Sequence, residues 1–210
     1  MTLESSKILG GVGALLMVIN PFLGTYTGVY AGGLGLVGLI LVLIALKGLS
    51  DHYNEGGIFN NGLYGVIMVI IGGVVFVATI VVAAVGFLSA IGIEISTLWS
   101  DPTALSGINW QEVVNFDILW AHIAAILGSL VVLFVFVVVA AIFLRRSLTI
   151  LSEKTGVGLF GTTGLITLIG AVLTIIGVGL ILLWVALILL TVAFFSIKTQ
   201  PAQPPESTPP

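Results

Sequence analysis

The sequence predicts an all-α fold, a polytopic membrane helix bundle, from three observations. Charged residues make up 7% of the chain and apolar ones 59%, against about 25% and 45–50% in soluble domains. The apolar runs are continuous rather than alternating with period two. In lipid every backbone amide must be satisfied within the protein, so the choice lies between helices and a closed barrel, and such runs select helices. Finally, residues 159–197 contain no charged residue at all. About 20 apolar residues cross a hydrocarbon core of about 30 Å, so this run fits a helical hairpin, turned at Gly177-Val178-Gly179.

The N-terminal apolar segment follows Lys7 in the manner of a signal peptide, but no small-residue cleavage site of the A-x-A type comes after it. It is read as a retained span over 8–23. Pro21 lacks a helical donor and Asn20-Pro21 favours a turn, which puts the second span at 29–49. Residues 50–61, SDHYNEGGIFNN, are dense in turn formers and read as a loop in water. The third span, 63–93, exceeds the core thickness as one helix of about 46 Å and must tilt, bend or project.

Residues 94–117 are polar and acidic and are expected to form short surface helices. Ser100-Asp101-Pro102 marks a helix start, and Asn109 with Glu112 a capping box. The fourth span, 118–144, stops at Arg145-Arg146, and a polar stretch over 147–154 leads into the terminal pair, 159–176 and 180–197. The spans thus form three hairpins within a single transmembrane domain over 1–198. A Pro-rich tail, 199–210, has nothing to bury and is expected to be disordered. The nonapeptides GLILVLIAL at 38–46 and GLILLWVAL at 179–187 match at six of nine positions, which suggests an internal repeat of one hairpin.

Orientation follows from the basic residues. With six spans and a cytoplasmic N-terminus, Lys7, Lys47, Arg145, Arg146, Lys154 and Lys198 all fall inside. The outer loop carries only acids: Glu94, Asp101, Glu112 and Asp117. Both termini are therefore expected on the cytoplasmic side of a cell membrane. Trp99, Trp110 and Trp120 would lie near the outer boundary, with Tyr53, Tyr64 and Phe160 near the inner one.

The opening LESSKILGGVGALL, the block LVLIALKGLSDHYNEGGIFNNGLYG and the closing LIGAVLTIIGVGLILLWVALILLTVAFFSIK resemble a family of archaeal and bacterial multi-pass membrane proteins known only as a domain of unknown function. The resemblance implies a plasma-membrane protein of an archaeon or bacterium. It brings no activity, ligand or catalytic residue.

Two stripes stand out. Gly65, Gly72, Thr79 and Gly86 recur every seven residues on the third span. Thr163, Thr167, Gly170 and Thr174 fall within about 40° of one another on the fifth. Such stripes are either helix-packing seams, since small residues admit close approach, or water-lined pore walls. Gly24, Gly28 and Gly32 form a GxxxG pattern that overlaps the predicted turn.

Ionisable groups inside a membrane mark proton and ion pathways. His122 is the nearest case, and Asp117, five residues earlier, is about 140° away if both are helical. Asp51, His52 and Glu55 have the chemistry to hold a hard cation at the cytoplasmic end, or are ordinary solvated charges. No catalytic, cofactor or metal motif is present, and the chain has no cysteine, which excludes disulfides and thiolate sites. A net charge of −3 gives no basic face for nucleic acid.

The expected function is accordingly non-enzymatic, with no cofactor: a structural, accessory or partner-binding membrane component. The alternative is a pore or carrier for a small uncharged or weakly charged solute. Expected partners are membrane lipids and a second copy (a homo-oligomer) or another membrane protein.

Overall fold

The computed structural model describes residues 2–27, 31–100, 103 and 116–198, and these are helical throughout apart from turns, with no strand among them. The helices are α1 (Leu3–Thr27), α2 (Ala31–His52), α3 (Gly56–Ala90), the short α4 (Ile95–Ser100), α5 (Phe116–Thr155), α6 (Gly158–Leu173) and α7 (Gly179–Phe195). Five stretches are long and apolar enough to cross a membrane: Leu3–Phe22, Gly33–His52, Gly56–Ala90, Leu119–Thr155 and Gly158–Ile176, the last made of α6 and the 3-10 turn Thr174–Ile176 that follows it. Helix α7 is apolar throughout but has 17 residues. The chain divides into two compact units, one of Met1–Val66 with Ala140–Pro210 and the other of Ile67–Val139.

The first unit has one hydrophobic core. It gathers Ala14 of α1, Val42 to Leu49 of α2, Ile58 of α3, Leu148 and Leu151 of α5, Phe160 of α6, and Ala193, Phe194 and Ile197 at the end of α7. Phe160 and Phe194 meet edge to face at 5.2 Å, the geometry that aromatic quadrupoles favour. Apart from Ala14, which lies mid-helix, the contributing segments alternate: the C-terminal half of α2, the start of α3, the end of α5, the start of α6, the end of α7. Chain direction therefore reverses between successive long helices at this core.

Glycines set the closest approaches. A Cβ on Gly13 would lie 2.6 Å from the Gly38 carbonyl oxygen, and one on Gly38 2.5 Å from that of Gly13, so α1 and α2 meet backbone to backbone. Gly10 lies against the Phe194 ring, and Gly179 against the Gly170 carbonyl. Two polar contacts tie the ends of the chain together. Lys7 Nζ donates to the Ile197 carbonyl at 2.7 Å, satisfying an acceptor just past α7 with a positive charge. Trp184 Nε1 donates to the Val18 carbonyl at 3.1 Å.

Several boundaries differ from the sequence expectation. Helix α1 runs through Pro21 to Thr27. The Asn20 side chain does not turn the chain; it accepts from the Gly35 amide at 3.1 Å and so bridges α1 to α2. Of the GxxxG pattern, Gly24 lies in α1, Gly32 in α2, and Gly28 outside the described residues.

The loop expected over 50–61 shrinks to Tyr53–Glu55. Asn54 takes a left-handed conformation, φ 49°, which Asn tolerates better than most residues. The Ser50 hydroxyl closes the turn on the Glu55 carbonyl at 2.9 Å. Helix α3 therefore starts at Gly56 rather than 63. Helix α5 passes Arg145-Arg146 and continues to Thr155, because Leu148 and Leu151 are drawn into the core and Ser147 donates to the Ile58 carbonyl. The terminal turn is where the sequence places it, with Gly177 at φ 80°. Phe160, expected at a membrane boundary, is fully buried in the core. The short helix α4 ends at Ser100, and Asp101 and Pro102 of the expected helix start lie outside the described residues. Asn109, Glu112, Trp110 and the tail lie outside the described residues.

Candidate functional site

The two stripes have different surroundings. On α6 and in the 3-10 turn that follows it, the stripe's threonine hydroxyls donate back to the chain just before them: Thr163 to Leu159 at 2.7 Å, Thr167 to Thr163 at 2.8 Å and Thr174 to Ala171 at 2.6 Å. Thr163 is buried and Gly170 packs on Gly179 and Leu182. A hydroxyl has one proton, so these side chains have spent their donors within the helix.

On α3, Gly65 and Gly72 lie against α5. A Cβ on Gly65 would sit 2.9 Å from Leu144 Cγ and 3.1 Å from the Ala140 carbonyl, and one on Gly72 2.6 Å from Phe136 Cβ. Further along, Thr79 and Gly86 face an open cleft of about 490 Å³ that also has Ala83, Ala121, Ala125 and His122 in its wall. Thr79 donates to the Val75 carbonyl at 2.9 Å. The absent side chain of Gly86 admits the His122 ring, whose Nε2 would lie 3.1 Å from a Cβ there. Phe87 meets the same ring edge to face at 5.7 Å. Three residues singled out for different reasons in the sequence, Thr79, Gly86 and His122, thus share one cleft. Only a spacing between two distant helices would have signalled that, and the sequence contains none.

Helix α5 begins at Phe116, so Asp117 and His122 both lie on it, five residues and about 140° apart. The Asp117 side chain lies outside the described residues.

Asp51, His52 and Glu55 are not brought together. Asp51 pairs with Lys47 at 2.6 Å and Glu55 with Lys154 at 3.4 Å, while His52 lies edge-on to Tyr53. Burial pushes the Tyr53 phenol above its ordinary pKa. Among the described residues no three His, Asp or Glu side chains gather as metal ligands.

Sequence reasoning missed the basic end of the first unit as a shaped surface. Arg145, Arg146 and Thr149 of α5, Asn61 of α3 and Leu168 of α6 line a cleft of about 540 Å³. The resemblance noted above now has a direct counterpart. Residues 34–188 match the family described as "Protein of unknown function (DUF996)". The chain belongs to this family. An "Uncharacterized protein MJ1644" of the archaeon Methanocaldococcus jannaschii is 32% identical over 173 residues, covering 82% of this chain and 80% of the relative. No solved structure gives a significant match. The DUF996 match takes in both clefts and begins inside α2, leaving α1 outside the matched residues.

Proposed function

We propose that the chain is a multi-pass integral membrane protein of the cell membrane, crossing six times with both termini in the cytoplasm, and that it acts as a non-enzymatic structural, accessory or partner-binding component. One observation carries the membrane reading. At one end of each long helix the exposed large apolar side chains stop at a common limit, and a polar or basic residue follows within three positions. The pairs are Ile8 with Lys7, Ile44 with Lys47, Tyr64 with Asn61, Ile142 with Arg145, Leu165 with Thr162, and Phe195 with Lys198. Exposed apolar side chains are at home in hydrocarbon, and charged groups at its edge.

Around and beyond those limits the helices bury a core, as chains do where water drives burial. On the apolar side of those limits they display Val, Ile and Leu outward, as a lipid-facing surface does. The basic ends fall on one side, which supports the cytoplasmic assignment.

The packing role of the stripes is supported by the committed Thr hydroxyls and by the glycines seated against neighbouring helices. The related segments 38–46 and 179–187 each place a glycine on a glycine of the preceding helix, Gly38 on Gly13 and Gly179 on Gly170, in keeping with a repeated contact. The pore or carrier alternative draws on the cleft at Thr79, Gly86 and His122, where the α3 stripe meets open space.

Two measurements test these readings. Carbonate-washed membranes should retain the chain; its release would overturn the membrane assignment. Single cysteines at Gly65, Gly72, Thr79, Thr163, Thr167 and Thr174 should resist a membrane-impermeant thiol reagent in intact vesicles while one at Ser96 reacts. Labelling at Thr79 together with Thr163 or Thr167 would replace the packing reading with the pore.

A further inference from the structure

We propose that the cleft between α3, α5 and α6 binds one anionic phospholipid of the cytoplasmic leaflet, its phosphate held by Arg145 and Arg146 and an acyl chain lying along Ile142 and Leu168. The inference rests on the membrane reading above and adds a ligand and a site to it.

Among the described residues the basic groups without a partner are these two arginines and Lys198, and of the three only the arginines line a cleft. Lys47 and Lys154 have carboxylate partners in Asp51 and Glu55, and Lys7 donates to the Ile197 carbonyl. Arg145 and Arg146 form no ion pair or hydrogen bond with any described residue, and both side chains are exposed. Two adjacent guanidinium groups without a counter-anion favour an acceptor with several oxygens, and a phosphate diester matches the guanidinium fork.

Thr149, one turn further along α5, adds a donor. The threonines of α6 spend their hydroxyls on their own helix, whereas Thr149 makes no hydrogen bond with a described residue. Asn61 across the cleft gives one amide hydrogen to the Gly57 carbonyl at 2.7 Å and keeps its second for a ligand.

Glycines build the walls of this cleft. A Cβ on Gly164 would lie 3.1 Å from Arg145 Cα, so α6 closes on the root of that side chain while its head stays free. A Cβ on Gly57 would lie 2.8 Å from Ile150 Cδ1, which holds α3 against the other side.

The depth decides between a lipid and a free anion. The arginines lie at the limit of the exposed apolar band, next to Ile142, where headgroup phosphates run. The remaining wall, Ile142, Ile150 and Leu168, offers nothing to inorganic phosphate and a continuous apolar surface to a methylene chain. At about 540 Å³ the space lies within the usual range for ligand clefts.

The test uses the full chain purified in neutral detergent, with lipid retention read by native mass spectrometry during titration with phosphatidylglycerol or phosphatidylcholine. One phosphatidylglycerol should be retained per chain, in preference to phosphatidylcholine. Each of Arg145→Gln and Arg146→Gln should weaken it about fivefold, and the pair about thirtyfold. Lys198→Gln, a charge change on the same side but away from the cleft, should leave it unaltered. Leu168→Trp fills the apolar end without touching charge and should also weaken binding, which keeps the test decisive if the double arginine variant fails to fold. Equal retention of the two lipids, indifference to Leu168→Trp, or displacement by inorganic phosphate alone would each overturn the proposal. A chain that stays in carbonate-washed membranes yet shows any of these outcomes loses the lipid site and keeps the membrane reading.

Discussion

At the scale of single residues, glycine is informative only through what surrounds it. Gly13 and Gly73 are indistinguishable in sequence, each set in an apolar helix. A Cβ on Gly13 would meet the Gly38 carbonyl, whereas one on Gly73 has nothing within 4 Å. Backbone cannot swing aside as a side chain can, so Gly13→Val should cost about 1–3 kcal/mol and lower the thermal midpoint in detergent. Gly73→Ala should leave the midpoint unchanged or raise it, by up to about 1 kcal/mol in helix propensity. Equal losses from both would mean that these close approaches do not govern stability. Ser147 makes a similar point for polar atoms. It reads as the first residue of a polar stretch, yet it is fully buried and donates to the Ile58 carbonyl. Ser147→Ala should cost about 1 kcal/mol, the net worth of one neutral hydrogen bond, measured by the same melting curves. Thr163→Val should cost less, because the lost bond is local to α6 and the site is otherwise apolar.

At the scale of elements, the terminal turn was legible and helix ends beyond the apolar runs were not. The Gly177 turn could be read because an apolar run of twice the crossing length has to fold back, and a left-handed glycine is the usual means. Residues 147–154 read as a polar stretch beyond the fourth span because polar and charged residues outnumber apolar ones. The decisive signal was the spacing of Leu144, Leu148 and Leu151, the four-then-three step of an amphipathic helix with one buried face. That pattern belongs to soluble proteins and stands out poorly beside continuous apolar runs. Asn20-Pro21 misled in the opposite direction. Pro21 removes one hydrogen bond, to the Met17 carbonyl, and the helix continues because its neighbours brace it. Trp184 donates to the Val18 carbonyl and meets Phe22 edge to face at 5.7 Å. Trp184→Phe keeps the ring and removes the donor, so it should destabilise the chain by about 1 kcal/mol. Protease access within residues 18–27 should rise in step. A destabilisation without added cleavage there would place the role of Trp184 elsewhere in α7. The shared cleft of Thr79, Gly86 and His122 was beyond sequence reasoning for a simpler reason: it depends on which faces of α3 and α5 meet.

At the scale of the whole molecule, the number of crossings depends on α7. Its 17 residues span about 26 Å, a little short of a hydrocarbon core of about 30 Å; α6 has 16 residues and reaches a 19-residue span only with the 3-10 turn that follows it. A lipid bilayer thins to accommodate a deficit of this size at modest cost. Parity argues for the sixth crossing. The core of the first unit takes the end of α5, the start of α6 and then the end of α7, and Lys7 near the start of α1 reaches the carbonyl of Ile197 just past α7. Both termini of the described chain therefore lie at the same end of that unit. Were α7 to lie along the surface or re-enter, Phe194 could not pack on Phe160 while Gly179 packs on Gly170 near the far end of α6. Single cysteines at Ser5 and Lys198 should thus share one side of the membrane, opposite one at Ser96. In right-side-out vesicles an impermeant maleimide should label Ser96→Cys at once, and Ser5→Cys and Lys198→Cys only after permeabilisation. Labelling of Lys198→Cys together with Ser96→Cys would reduce the crossings to five, detach the α7 end from the cytoplasmic core, and leave Arg145-Arg146 and Lys198 on opposite faces. Labelling of all three in intact vesicles would remove the membrane reading itself, since no side would then be protected.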